Sequence, residues 1–357
     1  MSAAPRVTVV VAFHGRREKT LACLDSLLAQ TIGDAEFLLV DDGSTDDTPA
    51  AVAARIAERG DPRARLLRNE RNLGANASRN RGVAASRAAL VAFLDSDCTA
   101  DRDWLERLVA PFADPAVGAV SGLVEDSACA NIWELAFRGT HRLPRRGPVS
   151  RLVIGNLCVR RALLGPGLDE SRPTRLDPRT GRPDLAISAR SDEEGLNLAV
   201  RAAGWKVLAE PSARAVHHHP YTRRSLLRQA YFGGQSAAEI VWRYRLGPRR
   251  DLGPIALAYT LLVAALAAWP FAGPIALLAP AGAAILPIAA ISYNELANKG
   301  KSPLELARCA PALAVYYHAR LAGYLARRAQ LLAGVRPVAR VSPSELARSL
   351  PSPGSTS

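Results

Sequence analysis

The sequence predicts an α/β fold, a mostly parallel sheet flanked by helices over residues 1–250, followed by transmembrane or re-entrant helices. In the first 250 residues, short β-branched or apolar runs alternate with Ala- and Arg-rich helical stretches, the pattern of strands joined by crossover helices. Acidic turns close the second and fourth runs, where open α/β sheets bind their ligands. About forty uncharged residues then run from Leu252 to Asn294, enough for two apolar helices.

The first strand is Val7–Phe13. It follows a single Arg and gives way at once to a polar turn, so it does not read as the apolar region of a signal peptide. A helix over Glu18–Gln30 leads to a second strand, Glu36–Val40, and then to a helix over Pro49–Arg59 that Thr45 and Asp46 can cap. Further strands are expected at Arg65–Arg68, Leu90–Leu94, Ala116–Val124 and Trp205–Glu210.

With 357 residues, 48% hydrophobic and 22% charged, the chain can bury a core without disulfides. That excludes a disordered, collagenous or disulfide-stapled protein. Cys23, Cys98, Cys129, Cys158 and Cys309 are odd in number, scattered and free of any C-x-x-C pair, which implies reduced, mostly buried thiols and no zinc site. The net charge of +13 admits nucleic acid, anionic lipid or an anionic substrate, and its distribution must choose among them.

That distribution points to a membrane. Leu252–Trp269 and Pro274–Ile291 lack charge, while Arg243, Arg245, Arg249 and Arg250 precede them and Lys299, Lys301 and Arg308 follow. Two spans, or a hairpin that dips into the bilayer and is kinked at Pro280 and Pro287, would leave both basic flanks on the cytoplasmic side. The alternative is a buried helical hairpin of a soluble domain. Residues 251–294 are thus expected as the membrane segment of a cell-membrane protein whose catalytic domain is cytoplasmic. Residues 295–340 are expected as an amphipathic helix on the membrane surface, with Leu304, Ala307, Pro311, Val315, Leu321 and Leu325 on its apolar face. His318 and Arg320 argue against a third span, and the Ser- and Pro-rich residues 341–357 are expected to be disordered.

The chemistry sits in three stretches. Phe37 to Thr48 reads FLLVDDGSTDDT, a strand ending in Asp41 and Asp42 before a helix, with acceptors for a nucleobase N–H and ribose hydroxyls. Acidic turns also simply cap helices. Asn72 to Gly82 reads NLGANASRNRG, and Val91 to Cys98 reads VAFLDSDC. Carboxylates two apart just past a strand, Asp95 and Asp97, can share a divalent ion and the diphosphate it neutralises.

The order VDDGSTDDT, N-x-G-x-x-x-x-R-N-x-G, FLDSD, IGNLCVRR, GLDE and an acidic cluster before L-x-L-x-x-R-A-A-G-W resembles the family 2 glycosyltransferases of the GT-A fold, over about residues 5–225. The resemblance implies that Asp42, with Asp41, binds the nucleoside and that Arg79 lies near the nucleotide. It implies that Asp95 faces ribose or sugar and that Asp97 binds Mn²⁺ or Mg²⁺. Counting back from Gly204 and Trp205 puts the base at Glu193, preceded by Asp192, with Asp192 and Glu194 open by a shift of one. The family more often has Asp at that position, and the acidic order is reversed here. One of His217, His218 and His219 is expected near the metal, with His217 favoured, although the triplet can equally be a solvated turn. Gly155 and Asn156, with Arg160 and Arg161, match a segment near the acceptor. Ser171–Arg190 reads either as a lid or as a plain solvated loop. The family's usual Pro-Thr-Tyr-Asn-like turn is replaced by Ala12-Phe13-His14-Gly15.

The function implied is inverting transfer of a sugar from a nucleotide-sugar to a lipid-linked or glycan acceptor at the membrane, in cell-envelope glycan or glycolipid synthesis. A polyprenyl-phosphate sugar synthase is an alternative, and a catalytically inactive nucleotide-sugar-binding protein is one of another class. Q-x-x-R-W is absent, which disfavours a processive synthase. Nucleic acid is not an expected partner, because no basic and aromatic platform stands beside the charge.

Overall fold

A computed structural model describes residues 4–127, 129–138, 146–149, 152–165, 168, 175–176, 183–184, 192–218, 221–245, 291–299, 301–334 and 340–353. The chain divides into two compact units. One comprises residues 1–127, 141–219 and 341–357, and the other residues 128–140 and 220–340. The expected single domain over 1–250 is therefore interrupted, and its last helix belongs to the second unit.

In the first unit, β1 (Val7–Phe13), β2 (Ala35–Asp41), β3 (Ala64–Arg68) and β4 (Leu90–Leu94) pair in parallel in the order β3-β2-β1-β4. Helices α1 (Arg17–Leu28), α2 (Thr48–Arg59) and α3 (Ala75–Ala85) connect them. β1 and β2 are apolar nearly throughout because both faces of a parallel sheet are covered. Val9, Val11 and Phe13 join one core with Leu24, Phe37 and Trp104, whereas Val10 joins another with Val40, Phe93 and Val200. At the start of α2, Asp47 holds the cap position without a side-chain bond, and Asp46 accepts the Thr48 N–H at 3.1 Å; Thr45 plays no such part.

Beyond β4 the sheet is mixed rather than parallel. β5 (Cys98–Ala100) and α4 (Trp104–Val109) precede β6 (Val117–Asp126), and two-residue β7 (Gly147–Pro148) precedes β8 (Asn156–Arg160). β8 lies between β4 and β6, antiparallel to both, because it starts at the edge where β4 ends: Asn156 pairs with Leu94. Two-residue β9 (Arg175–Leu176) and β10 (Pro183–Asp184) pair apart from the main sheet. β11 (Lys206–His217) pairs in parallel with β6 and antiparallel with β5. It runs seven residues past the expected end at Glu210, with a register shift between Glu210 and Arg214. Pro211 lacks the N–H a regular ladder needs, which explains both the shift and the early end read from sequence.

The second unit contains α5 (Ile132–Phe137), and the chain returns to it after α6 (Asp192–Ala202) of the first unit. Its long helices are α7 (Arg223–Arg243) and α8 (Pro303–Leu332). α8 falls within the expected amphipathic helix of residues 295–340. Cys309, Ala312, Leu313, Tyr316, Tyr317 and Leu321 form a buried stripe that packs with Leu226 and Ala230 of α7 and with Leu135 and Phe137 of α5. The helical period was legible but its phase was not: Leu304 and Leu325, expected on the apolar face, are 71% and 55% exposed. The uncharged block Leu252–Ile291 lies almost wholly outside the described residues. Among the described residues no helix is long and apolar enough to cross a membrane.

Residues 341–353 correct a second expectation. They include a short helix, α9 (Pro343–Ala347), opened by a capping box between Ser342 and Glu345 with Pro343 in the first turn. Ser and Pro read as disorder by composition, but at this spacing they start a helix.

Candidate functional site

The carboxyl edge of β1, β2 and β4 gathers most of the expected residues. β2 ends in Asp41 and Asp42, both buried. Asp41 accepts the Ser44 N–H at 2.9 Å and the Arg68 Nε–H at 3.1 Å. Asp42 accepts from Asn69 Nδ2 at 3.1 Å and from the N–H groups of Leu73 and Gly74 at 2.8 and 2.9 Å. The VDDGS turn and the NLG loop are thus interlocked. Gly43 is required at the crossing: its φ is 69°, and a Cβ there would run into the backbone of Arg71 and Asn72. Of roughly four acceptor positions each, Asp42 thus spends three and Asp41 two on the wall of this edge.

α3 begins in the NLG loop and carries Arg79, which is buried. Its guanidinium donates to Asn76 Oδ1 at 3.0 Å and to Asp95 Oδ1 at 2.9 Å, so it reaches from the helix to the end of β4. Gly155 stands behind that carboxylate, and a Cβ at Gly155 would sit 2.5 Å from Asp95 Oδ2. The glycine expected near an acceptor therefore makes room for Asp95.

Asp97 is nearly buried between two cationic groups. Arg16 Nη1 lies 2.7 Å from Oδ2, and His217 Nε2 lies 3.5 Å from Oδ1. Arg16 sits at the N-terminal cap position of α1 with φ 62° and ψ 48°, directly after Gly15 in the same left-handed region. Gly15 N–H donates to Ser44 Oγ at 2.8 Å, which fixes the turn that replaces the family's usual one. His217 closes β11, paired in register with Asp126 at the end of β6, and its Nδ1 lies 3.6 Å from Asp126 Oδ1. Burial opposes charge on His217, but the facing carboxylates of Asp126 and Asp97, with Asp95 behind, outweigh it and raise its pKa to about 9. His218 turns away, its ring 2.8 Å from Thr99 Oγ1, and burial lowers its pKa. His219 lies outside the described residues.

The donor chemistry fits a hard divalent cation. Asp97 offers carboxylate oxygen, and His217, on giving up its proton, would offer the ring nitrogen that faces Asp97, with Asp126 on the other, the arrangement that orients a metal-binding histidine. Among the described residues no group of three or more His, Cys, Asp and Glu closes into a cage, so phosphate oxygens and water would complete the coordination.

Asn156 is a brace inside the fold. It is fully buried, accepts the Trp104 indole N–H at 2.9 Å and donates to the carbonyls of Leu123 and Ala213 at 2.9 and 3.0 Å. It locks α4, β6 and β11 together. Arg160 donates to the Val117 carbonyl at 2.8 Å and lies over the rings of Phe112 and Trp205, and Arg161 donates to the Ala88 carbonyl at 2.9 Å. Glu193 and Asp192 open α6, but their side chains lie outside the described residues, as does most of Ser171–Arg190. Sequence reading missed Arg16, Asn69 and Asp126; only Arg16, beside a polar turn after β1, had a local signal. The thiols match expectation: Cys23, Cys98, Cys158 and Cys309 are buried and unbridged, and burial pushes the first three well up in pKa.

Comparisons with known proteins agree with this geometry. Residues 8–161 match Glycosyl transferase family 2. Over 105 residues the chain is 42% identical to the succinoglycan biosynthesis protein ExoO of Rhizobium meliloti (strain 1021), covering 29% of each chain. Over 126 residues it is 34% identical to glycosyltransferase AglE of Haloferax volcanii, covering 35% of this chain and 41% of that one. The chain thus spans well under half the length of these curated relatives. The mannosyltransferase PcManGT of Pyrobaculum calidifontis, solved with GDP-Man and Mn²⁺, shares the fold with a TM-score of 0.53 and 21% identity, over 92% of this chain and 87% of that one. The likeness to family 2 glycosyltransferases thus lies in residues 8–161, and the mixed sheet with flanking helices shares its fold with a solved glycosyltransferase.

Proposed function

We propose that the protein transfers a sugar from a nucleotide-sugar to a hydroxyl of a lipid-linked or growing cell-envelope glycan, inverting the anomeric centre. One observation carries this reading: at one sheet edge Asp95 is held by Arg79, and Asp97 by Arg16 and His217. Carboxylates and cations alternating at the end of parallel strands suit a ligand with both hydroxyls and a diphosphate.

In this reading Arg79 holds Asp95 toward the ribose or sugar hydroxyls, and Arg16 and His217 face the charge that develops on the leaving diphosphate. A divalent ion, Mn²⁺ or Mg²⁺, held by Asp97 with His217 and Asp95 nearby, would supply Lewis-acid neutralisation of that diphosphate. Glu193, or its neighbour Asp192, takes the proton of the acceptor hydroxyl on the side opposite the leaving group. The fold likeness to PcManGT, solved with GDP-Man and Mn²⁺, supports a nucleotide-sugar and a metal. The uncharged stretch Leu252–Asn294 and its basic flanks support an acceptor at the cytoplasmic face of a membrane.

Screening UDP-, GDP- and dTDP-sugars with Mn²⁺ or Mg²⁺ and a membrane extract as acceptor, with the anomeric configuration of the product determined, tests the proposal. Inversion with one donor class is expected. A retained configuration overturns single displacement, and binding of a donor without turnover under any condition favours an inactive nucleotide-sugar-binding protein.

A further inference from the structure

We propose that residues 341–353 act as a strap that holds α6, the helix opened by the carboxylate residues Asp192 and Glu193, in place against the sheet. Trp205 is the positioning residue on which the strap acts. The proposal rests on the functional reading above only in giving those carboxylates the role of base.

Three contacts carry it, and two features within the strap shape it. The indole N–H of buried Trp205 donates to the carbonyl of Pro351 at 2.7 Å, across 146 positions of sequence. Leu350 packs against the apolar cluster that contains Val200 and Trp205, as does Leu196 of α6. α9 lies along α6, and the Leu350 N–H closes a turn on the Ala347 carbonyl at 3.0 Å that sets the approach of Leu350 and Pro351. The capping box of Ser342 and Glu345 gives the strap a fixed beginning.

An eleven-residue helix such as α6 is marginal alone in water, so its order comes from what it packs against. One side is supplied by the sheet core, through Val200 and Ala199, and another by the strap. A helix is a stiff lever about 1.5 Å long per residue, so loosening its far end displaces Glu193 at its start. Displacement of a reacting group by about 1 Å can lower a rate a hundredfold. Asp42 and Asp95 are held by Asn69, Leu73, Gly74 and Arg79, none of which belongs to the strap. Loss of the strap should therefore lower kcat and leave donor KM alone.

The test compares the full chain with a chain stopped after Arg340, with Trp205→Phe and with Leu350→Ala, in donor turnover and in amide hydrogen exchange over residues 196–203. Truncation is expected to lower kcat about tenfold, hold donor KM within twofold and speed exchange in α6 by at least tenfold, with a synthetic peptide of residues 341–357 restoring both. The two point variants are expected to lower kcat about threefold in the same direction. Unchanged exchange and turnover after truncation overturn the strap, as does a rise in donor KM that accounts for the whole loss. If no form of the protein transfers sugar, the functional reading fails while exchange in α6 still decides whether the strap exists.

Discussion

The edge built by β1 to β4 and the region from β8 to β11 are held together by different kinds of contact. In the first, Asp42 is bonded by Asn69, Leu73 and Gly74, and Asp95 by Arg79, all within one stretch of about sixty residues. In the second, Asn156 ties Trp104 to Leu123 and Ala213, His217 faces Asp97 and Asp126, and Trp205 reaches Pro351. Chemistry written by local motifs differs here from chemistry assembled by topology. The family match, residues 8–161, covers the first region and ends just past β8, so the rest of the second region lies beyond it.

If the first region carries the donor, its central carboxylate should show the largest effect. Asp97→Asn removes the charge that faces Arg16 and His217, and turnover with Mn²⁺ is expected to fall about 10³-fold, the scale for losing one preorganised charge-stabilising group. Manganese affinity, followed by the paramagnetic signal of free ion, should fall with it. A variant that keeps manganese affinity would move the metal away from Asp97.

The second region is tested by Glu193→Gln. Loss of a general base lowers turnover by 10² or more, and about 10²-fold is expected, with donor affinity unchanged. Asp192→Asn and Glu194→Gln serve as neighbours. A larger loss in either shifts the base by one residue, the ambiguity left by the reversed acidic order in SDEEG.

The same division explains what could be read in advance. The strands Val7–Phe13 and Leu90–Leu94 were legible to the residue because buried parallel strands are continuous apolar runs bounded by polar turns. The i, i+2 spacing of Asp95 and Asp97 likewise survives in any local fold. Asp126 was illegible because only the pairing of β6 with β11 brings it to His217, some ninety positions away. The bracing role of Asn156 was illegible for a related reason: it stands next to a glycine in a motif, and only its burial and partners show it as an internal brace.

That brace gives the next test. Asn156→Ala leaves the Trp104 indole N–H and two carbonyls without partners, which costs about 3 kcal/mol and about 6–10 °C in melting temperature. Below the transition, turnover and acceptor KM should stay within twofold of wild type. A raised acceptor KM with an unchanged melting temperature would return Asn156 to the acceptor site and erase the contrast between the two regions there.

The smallest effect probes the point where the regions meet. Arg16 occupies one oxygen of Asp97 at 2.7 Å, and its side chain is 51% exposed. A divalent ion approaching Asp97 must displace that guanidinium or share the carboxylate with it. A half-exposed ion pair contributes no more than about 1 kcal/mol, which is a factor of about five in binding. Arg16→Gln should therefore bind Mn²⁺ about fivefold more tightly in the absence of nucleotide, measured by the same titration. If instead binding weakens, Arg16 orients Asp97 for the metal rather than competing with it, and the left-handed turn at Gly15 and Arg16 becomes part of the metal site.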